Sequence, residues 1–317
     1  LYFRASRMIQ TLTLNAMEYG AAIQGKAYPV YLFGRAWEGD PLALLVTLAV
    51  TAALLALTCY VLSRSFLRVA TSSGAVGKVK YHEKAVKPRS LPRAMLGKEL
   101  ARFTASPNYM LNCGLGLLFL PIVGVVFLVK AAWFRDLIAL LGWEGDFLTL
   151  MLAGALCAMA SMVDITAPSV SLEGRNLWLA QSLPILPWEA LRAKLRLQIG
   201  LTALPLAFAG ACAAIVLRPG LSGALLLLLL PQVFSVLMAA FGLFLNLKRP
   251  NFHWTNEIAP IKQSLSVTAA LFGGLVLAVG LMVAGWLLRN VLSPMITAWA
   301  CTVILAAAAA FLLHWLK

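Results

Sequence analysis

Seven apolar stretches without a single Lys, Arg, Asp or Glu divide this chain: Pro41–Ser63, Tyr109–Val129, Phe147–Val163, Ile199–Leu217, Leu221–Leu247, Ser264–Leu288 and Val291–Leu316. A helix needs about 20 apolar residues to cross roughly 30 Å of hydrocarbon, and each stretch reaches or approaches that length. One Lys, Arg or Asp at the centre of a span costs about 2.5–3.5 kcal/mol on insertion. Core helices of a large soluble protein would show polar stripes at helical spacing, whereas these are apolar all round. The pattern predicts an all-α polytopic membrane protein with about seven transmembrane helices.

Hydrophobic residues make up 61% of the chain and charged ones 12%. The net charge of +14 does not point to nucleic acid, because Lys and Arg are what hold cytoplasmic loops in place and meet anionic headgroups. Cys59, Cys113, Cys157, Cys212 and Cys301 fall in five different stretches. Without CxxC spacing they read as small packing residues rather than a zinc site or a disulfide framework.

Assigning alternate sides to the loops places 18 Lys and Arg on one side and 8 on the other. The segment Arg64–Arg102 carries most of the excess. Leaving it and the N-terminal segment out gives 8 against 4, with the same sign. The richer side is expected to be cytoplasmic, which puts the C-terminus, Lys317, on the cytoplasmic side of the cell membrane. The outer turns at Arg218-Pro219-Gly220 and Arg289-Asn290 are short enough to make helical hairpins, and Lys130–Asp146 carries Trp133 and Trp143 at headgroup level. Leu1 is not a Met and no signal-peptide pattern follows it, so the expectation is the C-terminal part of a longer chain.

Three inner segments carry most of the remaining information. Val69–Pro92, rich in Lys, Gly and Pro, reads as a basic linker. Its Gly74-Ala75-Val76-Gly77-Lys78 lacks the glycine spacing and following hydroxyl of a phosphate-binding loop. Ala94–Ser106 sets Leu96, Leu100 and Phe103 at helical spacing, with Lys98, Glu99 and Arg102 between them. That suits either an amphipathic interfacial helix or an extension of the following span. In the segment from Ile165 to Trp188, Ser169 or Ser171 is expected to cap a short helix with Glu173 near its positive end, running through Leu177, Trp178 and Ser182 until Pro184 and Pro187 stop it. In the third segment, Asn246–Ser264, His253 and Glu257 lack the further ligands a metal needs. No metal site is expected, and Trp254 reads as an interfacial anchor.

Two runs carry a resemblance. Ser171-Leu172-Glu173-Gly174-Arg175-Asn176-Leu177-Trp178 with Ser182-Leu183-Pro184-Ile185 is the first; Lys248-Arg249-Pro250, Trp254-Thr255-Asn256-Glu257 and Ile261-Lys262-Gln263 form the second. Together they resemble the membrane subunits of type-2 ABC exporters, in particular the large permeases of Gram-positive bacteria. The resemblance covers Ala94–Lys317, an interfacial helix followed by a six-span permease domain, while residues 1–68 resemble the end of an N-terminal half and residues 69–93 join the two. It implies a transmembrane subunit that forms a translocation path. It is not itself an enzyme and binds no cofactor; ATP and Mg belong to separate cytosolic ABC ATPase subunits. A second permease copy or half is a further implied partner, beside the lipid bilayer. Glu173, Gly174, Arg175 and Trp178 would then belong to the helix gripped by the ATPase, and Trp254, Asn256, Glu257 and Lys262 to a second contact. Related sequences often carry an acidic residue where Asn246 stands.

Two other classes compete. A secondary transporter usually places ionisable groups at the bilayer midplane, whereas these spans offer Asn112, Gln232 and the edge groups Asp164, Asn246 and His314. An integral-membrane enzyme needs paired carboxylates, a Ser/His set or a metal cluster near one interface, and the sequence offers none.

Overall fold

Asp40 starts the first span. Its Oδ1 accepts the backbone N–H groups of Leu42 and Ala43 at 3.0 and 3.3 Å, and Pro41, which has no N–H to satisfy, opens the helix. The computed structural model describes residues 24–25, 27–71, 90–141 and 145–317, divided between two units, Leu1–Val86 and Lys87–Lys317. Most of the basic linker, the Gly74–Lys78 run, Trp143 and the side chain of Arg175 lie outside the described residues.

The first unit contains α1 (Tyr28–Trp37) and the long α2 (Pro41–Thr71). Thr47, Thr51, Thr58 and Ser65 return their hydroxyl hydrogens to carbonyls four residues back. Their polarity is thereby hidden inside a helix whose surface is otherwise apolar. Of the described residues in this span only Ala43 is buried, which is the surface expected of a helix solvated by lipid.

The second unit opens with α3 (Leu91–Ala105), α4 (Pro107–Cys113) and α5 (Leu115–Val129). Helix α3 is separate from the span that follows: Ser106 lies between them and its Oγ accepts Tyr109 N–H. The expected span Tyr109–Val129 is broken, with α4 and α5 meeting at 49°. The break falls at Gly114, where an added Cβ would lie 2.6 Å from Phe103 Cζ. Helix α6 (Ala131–Leu141) is followed by α7 (Gly145–Ala160), α8 (Leu177–Ser182), α9 (Pro187–Leu217), α10 (Gly220–Lys248), α11 (Ile258–Lys262), α12 (Leu265–Leu288) and α13 (Pro294–Trp315). Among the described residues, five helical stretches are long and apolar enough to cross a membrane, six if the bent pair is one span, with α7 a shorter apolar helix. The polytopic all-helical architecture read from the sequence is therefore present, and two of the seven stretches are irregular.

Helix α10 is the hub, packing against α9, α13, α7 and α12. Its Leu226, Leu227, Leu230, Phe234 and Met238 are fully buried, together with Leu206 and Ala209 of α9 and Leu150 and Cys157 of α7. The α9–α10 turn is as tight as expected, with Arg218 at φ 51° and Gly220 at φ 73°. Gly154 permits close contact, since a Cβ there would come 2.4 Å from Met282, whereas Gly280 faces open space. Cys113, Cys157 and Cys212 are buried free thiols and Cys59 is exposed.

Candidate functional site

At 16 residues, α7 rises only about 24 Å, short of the roughly 30 Å of hydrocarbon. The chain then continues as irregular backbone from Ser161 to Val170, buried at every residue except Met162. Such backbone is tolerated at depth only where protein satisfies its polar groups, and here side chains do so. Gln198 Oε1 accepts Thr166 N–H at 2.8 Å and its Nε2 donates to Val163 O at 2.7 Å. Tyr109 donates its hydroxyl to Ile165 O at 2.5 Å, and Ser266 donates to Ala167 O at 3.2 Å. Thr166 Oγ1 reaches Ala239 O on α10, nine residues before the last residue of that helix, Lys248; the loop thus inserts about 13 Å from the helix end. Gly242 makes room for it, because a Cβ there would lie 2.9 Å from Thr166 Oγ1.

Asn246 pins the next stretch. Its Oδ1 accepts the N–H groups of Val170 and Ser171 at 2.8 and 2.9 Å, and its Nδ2 donates to Ser171 Oγ and Ser266 Oγ. Four polar partners explain how an amide is fully buried here. Ser171 and Ser169 do not cap a helix as the sequence suggested. Ser171 Oγ serves Asn246 and Asn251 N–H, and Ser169 Oγ donates to Thr166 O. In place of a single helix there is a 3-10 segment, Ser171–Asn176, kinked within itself at Gly174 (φ 52°, ψ −132°), followed directly by α8. Pro187 begins α9 rather than stopping α8.

Glu173 lies in the first turn of the 3-10 segment, as expected, and its oxygens are taken up by an ionic cluster. Arg102 of α3 grips it with two guanidinium nitrogens at 2.9 and 2.8 Å, and Lys194 of α9 approaches at 2.8 Å. Lys194 also donates to Glu99 Oε2 at 3.0 Å and Ser169 O at 3.1 Å, so all three ammonium hydrogens are used. Lys98 approaches Glu173 at 3.4 Å from the half-exposed side. Burial pushes the Glu173 carboxyl pKa up, but the Arg102 hydrogen bonds and the Lys194 charge outweigh it and hold the group well below the usual carboxylate range. For Arg102, burial lowers the pKa and is outweighed by Glu173 and Glu99, which raise it. The cluster ties α3, the loop and α9 together.

The two sequence runs meet at Trp254. Its indole N–H donates to Ser171 O at 2.8 Å, and a Cβ on Gly174 would stand 3.0 Å from its ring. The interfacial-anchor reading of Trp254 is therefore corrected: the ring packs inward against the cluster of Phe103, Tyr109, Leu172 and Ile261. Glu257 accepts a hydrogen bond from Ser106 Oγ at 2.8 Å. Between these pieces lies a cleft of about 540 Å³, lined among others by Arg102, Ser106, Glu173, Asn176, Trp254 and Glu257.

A model for the family of membrane proteins of 12 TMs matches residues 21–314. The chain belongs to that family. No curated protein and no solved structure matches it. In this 12-TM-family chain the candidate residues fall into two groups. Glu99, Phe103, Glu173 and Gly174 are buried, with Leu96 and Lys98 half-buried beside them. Leu100, Trp178, Asn256, Glu257 and Lys262 are exposed. Helix α3 turns Met95, Glu99 and Phe103 inward, so its buried stripe includes a carboxylate and leaves Leu100 outside. Lys194, Gln198, Tyr109 and Ser266 escaped the sequence reading, since partners 20 to 99 residues apart leave no local spacing signal. Among the described residues no group of three or more His, Cys, Asp or Glu comes together to hold a metal ion.

Proposed function

We propose that this chain is the transmembrane subunit of an ATP-driven exporter, forming the translocation path and coupled to a separate cytosolic ABC ATPase. The observation that carries the reading is the convergence of two sequence runs some 80 residues apart, joined by Trp254 on Ser171 O and Asn251 N–H on Ser171 Oγ. They were singled out by their resemblance to exporter subunits, and together they form one surface beside one cleft. On this reading the end of the bundle that carries the two runs is cytosolic, the C-terminus lies on the cytoplasmic side of the cell membrane, and a second permease copy or half completes the path. Trp178, Asn256, Glu257 and Lys262 offer the motor a contact, while Glu173 and Gly174 hold the loop in shape behind it. ATP and Mg bind the motor, and this chain hydrolyses nothing. Because the loop is bonded to α4, α9, α10 and α12 at once, a push on it is shared by four helices, which is how a local stroke becomes rearrangement of a bundle.

The test uses surface variants. Trp178→Ala with Lys262→Glu is expected to keep the unfolding temperature of the purified protein while abolishing co-purification with the motor and ATP-dependent cargo export. Undiminished motor binding by the variant, or cargo movement by the subunit alone, overturns the reading.

A further inference from the structure

Asp164 follows α7 by four residues and is only 4% exposed. Neither of its carboxyl oxygens has a hydrogen-bond partner. Its backbone N–H donates at 3.2 Å to the carbonyl of Cys113, the last residue of α4, where the broken span bends by 49°. One interrupted helix is therefore stitched to the loop after another, and the stitch carries an orphan carboxyl group. The groups around it are otherwise committed. From α4, Tyr109 donates to Ile165 O and Cys113 is a buried thiol. From α9, Gln198 bonds Val163 and Thr166, and Lys194 serves Glu99, Glu173 and Ser169. Helix α3 contributes Lys98, Glu99 and Arg102 to that same ionic cluster, and α10 and α12 bring the neutral Asn246 and Ser266.

We propose that Asp164 is a proton-binding site, occupied in the packed arrangement and emptied when the loop 161–170 draws away from the break at Gly114. An isolated carboxylate in an apolar interior is so unfavourable that the group takes up a proton instead. A metal cation is a poorer occupant, because among the described residues no group of three or more His, Cys, Asp or Glu comes together to hold one. On release the O–H bond breaks, the proton passes to water and the electron pair stays on the carboxylate, which then needs solvation. Met162, the exposed residue of this segment, marks the short way out. Because burial favours the neutral acid, the packed form is unpenalised in acid, and loop opening becomes progressively easier as pH rises above the ordinary carboxylate range. The site differs in kind from the motor contact, since it needs no nucleotide and no partner.

Full-length protein in lipid nanodiscs, labelled with carboxyl-13C aspartate, provides the test. Infrared spectra are expected to contain a protonated aspartic acid band at about pH 6 that disappears by about pH 10, because the other aspartates, Asp40, Asp136 and Asp146, are paired with Arg35 or exposed. In parallel, amide exchange across 161–170 and 107–114, corrected for its chemical rate, should accelerate by up to about tenfold per pH unit between about pH 5 and 8, and Asp164→Asn should flatten that dependence. A missing acid band at pH 6, a band unchanged at pH 10, or the same exchange profile in Asp164→Asn overturns the proposal. Should that variant fail to fold, the wild-type band decides alone.

Discussion

Glu173 and Asp164 lie nine residues apart in one loop, both buried to within a few per cent, and their surroundings are opposite. Glu173 receives two guanidinium bonds and an ammonium bond; Asp164 receives nothing on either oxygen. The first is a fixed charge that fastens three segments, the second a group whose charge depends on whether the loop is closed. The contrast teaches that burial alone does not set the role of a carboxylate in this protein: the difference lies in whether α3 and α9 can reach it.

The pair also respond to pH in opposite senses. With its pKa held low, Glu173 contributes stability that is fully present above the ordinary carboxylate pKa of about 4.3 and is lost as pH falls below it. Asp164, which burial favours in its neutral form, weakens the packed form as pH rises above the ordinary carboxylate range.

The largest expected effect comes from removing the partnered carboxylate. Glu173→Ala leaves Arg102 and buried Lys194 short of a counter-charge and should cost about 3–5 kcal/mol, read as a lower midpoint in thermal unfolding of the purified protein. Losing no more than a surface pair, well under 1 kcal/mol, would erase the distinction drawn between the two groups. Next comes the amide that pins the same loop. Asn246→Leu orphans the N–H groups of Val170 and Ser171, at about 1–3 kcal/mol each. Asn246→Asp should lose less, because its oxygens still accept and the hydroxyls of Ser171 and Ser266 can turn to donate. The order of those two midpoints is the readout. Gly174→Ala imposes a side chain at φ 52° and against Trp254; about 1–3 kcal/mol of strain follows, and the Trp emission should shift as the indole is displaced. Smallest is Trp254→Phe, which removes the bond to Ser171 O for about 0.5–1.5 kcal/mol and should slightly speed amide exchange over 171–176.

Much of the bundle was legible because a membrane leaves few options: uncharged stretches of about 20 residues become helices. The α9–α10 hairpin at Arg218-Pro219-Gly220 was visible for the same reason, since three residues allow only a tight turn. The two loops could be picked out as unusual, yet their interior was not visible. Ser171 was expected to cap a helix, but it joins Asn246 to Asn251. Trp254 was expected to anchor the loop at the membrane interface, but its indole N–H goes to Ser171 O. Phe147–Val163 ran on past the helix end at Ala160, because apolar composition cannot separate helix from buried irregular backbone.

What the amino-acid order determined by itself was the solvent and the helical class, because the cost of charge and unsatisfied backbone in hydrocarbon acts on each segment separately. Which carboxyl group became a clasp and which an orphan was decided only in tertiary structure. Arg102 and Lys194 lie 71 and 21 residues from Glu173 along the chain, and only the packing of α3 and α9 against the loop brings their charges to it while leaving Asp164 alone.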